Sequence, residues 1–169
     1  MHATKSRALG VAAIATALLT LLVISVLCYQ DWKRYDTAYI GIRDSRRILN
    51  LNQALIDGLL DAETGQRGFL LTGRPEYLDP YRAASSQLPA QTSELGSLLN
   101  QDPDRRNLFL QLQSLIAAKL DELRTTIALR QSQRTDAALA LVQSGQGKQT
   151  MDRIRQVSEQ IQESETARW

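Results

Sequence analysis

Histidine and cysteine are almost missing from this 169-residue chain, which has one of each, His2 and Cys28. A lone cysteine closes no internal disulfide. A c-type haem site needs C-x-x-C-H and a di-iron bundle needs paired E-x-x-H motifs, and neither is present. Zinc held by thiolates and imidazoles is excluded on the same ground. With the one histidine in the N-terminal tail, no imidazole can serve as a general base or phospho-acceptor. A G-x-S-x-G elbow and a Gly-rich phosphate loop are also lacking. The expectation is a chain that is not an enzyme, with no cofactor and no metal site. Aromatic residues are few, at 5%, and the apolar residues are mostly Leu, Ala and Ile. That composition suits narrow helix–helix seams rather than a wide sandwich core. A surplus charge of one sign is lacking too. The formal charge is +2, and removing Lys5 and Arg7 leaves 18 basic residues (20 minus 2) against 18 acidic. A balanced surface of this kind excludes nucleic acid, which needs a basic patch. Strand alternation, internal repeats and low-complexity linkers are absent as well.

What is present begins with an uncharged run of 21 residues, Ala8 to Cys28. As a helix it would be about 31 Å long, enough for a hydrocarbon core of about 30 Å. Tyr29 and Trp32 follow as an interfacial aromatic pair. The rival reading is a cleaved signal peptide, but the run is long for one and Ser25-Val26-Leu27 makes a poor cleavage site. Leu27 is also too large for a lipoprotein site, so Cys28 reads as a buried apolar residue at the membrane edge. Orientation is not settled by charge. Lys5 and Arg7 lie on one side; Lys33, Arg34, Arg43, Arg46 and Arg47 lie on the other, diluted by Asp31, Asp36 and Asp44.

Beyond the span the pattern is helical. Ile48, Leu51, Leu55, Leu59, Ala62, Gln66 and Phe69 follow the three-four spacing of a bundle helix running from about Tyr35 to Leu71. Gly73 supplies a left-handed stop. A second helix starts near Pro75 or at Asp79-Pro80, with Asp79 as cap and Pro80 as first helical residue. Leu78, Tyr81, Ala84, Leu88, Leu95 and Leu98 form its stripe, and Pro89 inside it is expected to kink it. Asp102-Pro103 opens a third helix. Its inner face is marked by Leu108, Leu112, Leu115, Leu120, Leu123, Ile127 and Leu141, and it runs to about Gln143. Ser144-Gly145-Gln146-Gly147 is the next turn. A fourth helix follows with Met151, Ile154, Val157 and Ile161 inward. The expected fold is all-α: an N-terminal transmembrane helix, then an antiparallel up-and-down four-helix bundle.

The densest motif is D-A-E-T-G-Q-R-G-F-L-L-T-G-R-P-E-Y-L-D-P-Y-R, Asp61 to Arg82. Glu63 and Arg67 stand four apart with the acid first, the favourable order for a pair on one helix face. Gly65 and Gly68 each weaken a helix by about 1 kcal/mol relative to alanine, which points to a packing or bending reason, such as close approach of a neighbouring helix. The structural reading of Glu63 and Arg67 is a pair that fixes register near a turn. The sharper reading has Arg67 binding a small anion between helices, with Thr64, Gln66 and Tyr77 or Tyr81 nearby, since a guanidinium forks onto carboxylates. Packing is the simpler role for Tyr77 and Tyr81, which share a face.

The residues Glu63-Thr64-Gly65, Arg67 to Gly73, Pro75 to Leu78, and Pro80-Tyr81 resemble the signature of the CHASE-type extracellular sensory domain, third class. A second match is A-L-x-L-V-x-S-G-x-G-K-x-x-M-D-x-I-R, Ala138 to Arg155. The resemblance runs from about Tyr35 to the end, and a related motif occurs in four-helix chemoreceptor sensor domains. It implies a bacterial receptor with residues 1–7 as cytoplasmic tail, 8–28 as transmembrane helix and 29–169 as the extracytoplasmic bundle. The implied location is the bacterial inner membrane, single-pass, with the bundle on the periplasmic side. The implied function is sensory input to a histidine kinase, cyclase or chemoreceptor, relayed by helix movement. Receptors of that family carry a second membrane helix and a cytoplasmic output domain. A fourth helix of about 33 Å against a first of about 60 Å leads to the expectation that the C-terminal helix is truncated. The expected partners are the membrane, a second copy packed through the helices, and an unidentified small-molecule ligand. The alternative is a single-span membrane-anchored interaction module with no ligand of its own. A polar, partly buried pocket near Arg67 favours the first reading and a continuous exposed apolar stripe the second.

Overall fold

The computed structural model describes residues 2–100 and 102–167, with the side chains of residues 2–17, 31 and 33–41 outside the description. All the regular structure among the described residues is helical. Helix α1 spans His2–Thr72, a 3-10 turn Pro75–Leu78, α2 Asp79–Leu99, α3 Pro103–Gln131, α4 Thr135–Gln143 and α5 Gln146–Thr166. The chain divides into two units, residues 1–43 and 44–169.

In the first unit Leu18, Leu19, Leu21, Leu22, Ile24 and Leu27 are exposed, as are Tyr29 and Trp32. Among the described residues no helix is long and apolar enough to cross a membrane. The first half of the expected span, residues 8–17, lies outside the described side chains. Cys28, which the sequence places at a membrane edge, is exposed in the protein alone.

In the second unit, α1 from Asp44 onward shares one apolar core with α2, α3 and α5. Ile48, Leu51, Leu55, Leu59, Leu88, Leu95, Leu112, Leu123, Ile154 and Ile161 are its centre. Helix direction follows from the cross-links. Arg47, early in this stretch, donates to Glu94 near the end of α2, so α1 and α2 run antiparallel. Ser45 meets Glu165 and Asn52 meets Ser158, so α5 is antiparallel to α1 as well. Gln66 meets Thr126 far along both helices, and α3 runs with α1.

The helix ends show why the chain turns where it does. Gly73 takes φ 71° and its N–H returns to the Phe69 carbonyl at 2.7 Å, an αL stop. Asp102 caps α3 through Oδ1, which accepts from the Asp104 and Arg105 N–H groups at 2.9 and 3.3 Å. Gly145, at φ 74°, opens α5. Two expectations need correction. Asp79 does not cap α2: the 3-10 turn runs straight into that helix, Leu78 takes the cap position and Asp79 becomes its first residue, with its carboxylate on Arg82 at 2.7 Å. The third helix does not reach Gln143. It ends at Gln131, and Gln133 adopts φ 61° before α4 begins. Arg130 secures that break, donating from Nε to the Leu70 carbonyl and from Nη1 to the Thr135 hydroxyl, each at 3.1 Å. Pro89 lies inside α2, which continues to Leu99.

Candidate functional site

Positions 63, 66 and 67 share one face of α1 because three- and four-residue steps return to the same side. The structure puts Glu63 and Gln66 inward and Arg67 at the rim: the Glu63 side chain is 12% exposed and that of Arg67 61%. Glu63 Oε1 pairs with Arg67 Nη2. Its other oxygen stands 3.1 Å from the ammonium of Lys119, on α3, which is only 2% exposed. Lys119 also donates to Glu122 Oε2 at 2.8 Å and to the Gly147 carbonyl at 3.4 Å. Three oxygens from α1, α3 and the start of α5 thus surround an ammonium with three protons.

Each neighbour of this cluster is shaped to it. A Cβ at Gly147 would stand 2.7 Å from Glu122 Oε2, so the glycine lets α5 begin against that carboxylate. One step along the face, Gln66 Nε2 donates to Thr126 Oγ1 at 2.6 Å, and the Thr126 hydroxyl lies 2.9 Å from the Leu123 carbonyl. A buried ammonium left alone would be prohibitive, whereas one with carboxylates and a carbonyl on its protons is tolerated.

Two clefts flank the cluster. A small one of about 40 Å³ is bounded by Glu63, Gln66, Lys119, Glu122 and Gly147. A larger one, about 160 Å³, lies between α1 and α5 and is lined by Glu63, Thr64, Arg67, Lys148, Asp152 and Arg155, with Leu60 and Met151 behind them. Its lining holds three cations and two carboxylates, a surplus of one positive charge. Lys148 pairs with Asp152, which Arg155 also approaches at 3.1 Å. The hydrogen bond from Lys148 holds the Asp152 carboxyl below the usual aspartate value.

Of the residues singled out by sequence, Glu63, Thr64, Gln66 and Arg67 come together at these clefts. Tyr77 and Tyr81 line neither of them. Tyr77 lies across Gly65 and Gly68, where a Cβ at Gly65 would stand 2.6 Å from its carbonyl oxygen and one at Gly68 2.5 Å from its ring. Tyr81 packs between the main core and a smaller cluster of Phe69, Leu78 and Ile127. Both tyrosines fall on the α2 side of α1, because the close approach at Gly65 and Gly68 draws the 3-10 turn to that side.

Sequence reasoning missed Lys119 and Glu122. The signal was there: Leu112, Ile116, Lys119, Leu123 and Thr126 are spaced four, three, four and three, a seam with a lysine in it. A second buried carboxylate closes the other end of this unit. Glu165, fully buried, accepts from Ser45 Oγ at 2.6 Å and from Arg105 Nη1 at 2.8 Å. Among the described residues no group of metal-capable side chains gathers.

No curated protein matches the chain. Among solved structures it is similar to the sensor domain of the histidine kinase HK9 of Rhodopseudomonas palustris. The identity is 27% and the TM-score 0.66, over 72% of this chain and 95% of that one. The CHASE3 domain family matches residues 39–169. A helical unit built around the E-T-G-Q-R-G-F motif, with α5 opening on the S-G-Q-G turn, therefore has its place: the chain belongs to the CHASE3 domain family.

Proposed function

We infer that this chain is the extracellular sensory input domain of a bacterial signalling receptor, and that its long helices from Asp44 onward act as an antiparallel four-helix bundle. The observation that carries the reading is the buried Glu63–Lys119–Glu122 cluster, which joins α1, α3 and the start of α5 behind a polar cleft. The exposed apolar residues of the second unit are scattered: Leu60, Leu71, Tyr77, Leu110 and Leu139 form no stripe along one helix. That pattern favours a sensor with its own site over a bare docking module. The uncharged run Ala8–Cys28 anchors the domain as a single span in this reading, with the bundle on the periplasmic side. A C-terminal alkaline phosphatase fusion tests the placement: activity in whole cells supports it, and activity only after lysis refutes it.

The ligand at the larger cleft, in this reading, is a small carboxylate or a similar anion that takes the surplus positive charge beside Arg67. Binding would shift α5 against α1, and a ligand that binds one arrangement better than the other biases the two states of the bundle. Titration of the full chain with acetate, against chloride at equal ionic strength, should raise the unfolding temperature saturably. Arg67→Ala should abolish that rise. An equal rise in both proteins would mean that Glu63 and Arg67 fix register only. A second copy packed through α1 belongs to the same reading. Cys28 cross-linking in membranes, with Cys28→Ser as control, tests it.

A further inference from the structure

A groove of about 550 Å³ runs between α2 and α3, away from the charged clefts. Leu88, Thr92, Gly96, Phe109 and Ile116, all buried, form its floor. Its size falls within the range of about 300–1,000 Å³ typical of small-molecule sites. In a chain where 22% of residues are charged, none of the described residues lining this groove carries a charge. A charged ligand would lose its hydration here without gaining a partner, which excludes it.

The floor is shaped by two features of α2. At Gly96 a Cβ would overlap the far end of the Phe109 ring, so the glycine is what lets that ring lie against the α2 backbone. At Thr92 the hydroxyl is buried and has no hydrogen-bond partner. An unmade hydrogen bond at a buried group is destabilising, so such a group needs a reason. Rotation about χ1 exchanges the hydroxyl and the methyl of a threonine between staggered positions, which can turn the oxygen to an occupant of the groove. The rim adds serine, asparagine and glutamine side chains that hydrogen-bond without charge.

We propose that this α2–α3 groove is a second binding site, and that it takes an uncharged small molecule with an apolar ring or chain and a hydroxyl or carbonyl group. The apolar part rests on Leu88, Phe109 and Ile116, and the polar group meets Thr92. The site is opposite in character to the Arg67 cleft. Binding there stands independently of the sensory reading, which supplies only its purpose.

The test is a titration of the ¹⁵N-labelled full chain in detergent with cyclohexanol, cyclohexanecarboxylate and cyclohexylammonium, followed at the Thr92, Gly96 and Gln113 amides. Cyclohexanol should give saturable shifts at these positions, with the two charged probes about tenfold weaker or more, a difference of about 1.4 kcal/mol. Thr92→Val keeps the shape of the side chain and should weaken cyclohexanol binding about five- to tenfold, the usual effect of one hydrogen bond. It should also leave the empty protein at least as stable as the parent. Ala117→Trp, at the rim, should abolish the shifts. Absence of saturation, equal binding of all three probes, or an unchanged affinity in Thr92→Val would overturn the proposal. So would shifts at the same amides that follow protein concentration with no probe added, since they would assign the groove to a second copy of the chain. Failure here leaves the phosphatase fusion result untouched, so the two readings fall separately.

Discussion

Replacing Lys119 with methionine is the sharpest single perturbation of the charged cluster. Methionine follows the lysine stem as far as Cε, keeps most of its volume and lacks the ammonium. Two carboxylates, with side chains 12% and 11% exposed, then lose the cation they share. Glu63 keeps Arg67, but Glu122 loses the ammonium that stands 2.8 Å from its carboxylate. Removing one partner of a buried ion pair destabilises by about 3–5 kcal/mol, because the remaining charge is left desolvated. For a folding unit of residues 44–169, that corresponds to a fall in melting temperature of about 10–20 °C. The assay is guanidinium unfolding of the full chain by circular dichroism at 222 nm, with the slope checked to be constant so that the midpoint reports stability alone. The double substitution Lys119→Met with Glu122→Met replaces charge by apolar volume. It should return to within about 1 kcal/mol of the parent, since buried pairs exchanged for hydrophobic residues are often neutral. A loss below about 1 kcal/mol for the single variant, or simple additivity in the double, would refute the idea that Lys119 holds the two carboxylates.

Three other outcomes can be measured as changes in stability, with urea as the denaturant where exposed charges are tested. Asp102→Ala should lower stability by about 1 kcal/mol through loss of the α3 cap, read as a lower denaturant midpoint at unchanged slope. Gly65→Ala and Gly68→Ala should each destabilise by about 1–3 kcal/mol despite the better helix propensity of alanine. Adding Tyr77→Ala should rescue Gly68→Ala, where the clash is with the ring, and not Gly65→Ala, where it is with a backbone oxygen. The Glu94 carboxyl is held below the usual glutamate value first by the hydrogen bond from Arg47 and then by its charge. A depressed carboxyl stabilises the fold above its unfolded value and loses that contribution as pH falls through the lower, folded one. Glu94→Gln should therefore flatten the acid side of the stability profile below about pH 4.3. High salt should shrink the difference, because the pair is exposed.

The seam of α1 was fully legible, since every one of its seven stripe residues from Ile48 to Phe69 is buried. Periodicity works there because a buried helix must repeat its apolar face. The Asp102 cap and the glycine stops were legible because their chemistry is local. Elsewhere, tertiary contacts decided. The break after Gln131 has neither glycine nor proline to announce it. Gln133 is held in a left-handed conformation within a turn that the Arg130 bonds secure, and no local pattern encodes that. At the site, the Glu63–Arg67 pair was readable from spacing, but its third member lies on another helix. Lysine in a seam is easily passed over as solvated surface, although it fills an inner position of α3. The tyrosines were drawn to the site by nearness in sequence, whereas Gly65 and Gly68 take the Tyr77 turn onto the opposite face of α1.

Four polar ties at different heights along α1 join it to its neighbours: Ser45 with Glu165, Asn52 with Ser158, Glu63 with Lys119, and Gln66 with Thr126. Together they work like the teeth of a key. A slip of α1 by one helical turn, about 5.4 Å, would unseat all four at once. At about 1–3 kcal/mol for each group left unpaired, the total approaches the 5–15 kcal/mol that holds a typical domain folded. A ratchet of that size is therefore closed to this domain as a way of passing a message. Displacements of a few tenths of an ångström, or a tilt that pivots on the Glu165 end while the Lys119 end gives, stay within hydrogen-bond tolerance. The alphabet of movement open to this sensor is small rotations and tilts, and one pivot is the buried Glu165 carboxylate, which ties α5 to both α1 and α3.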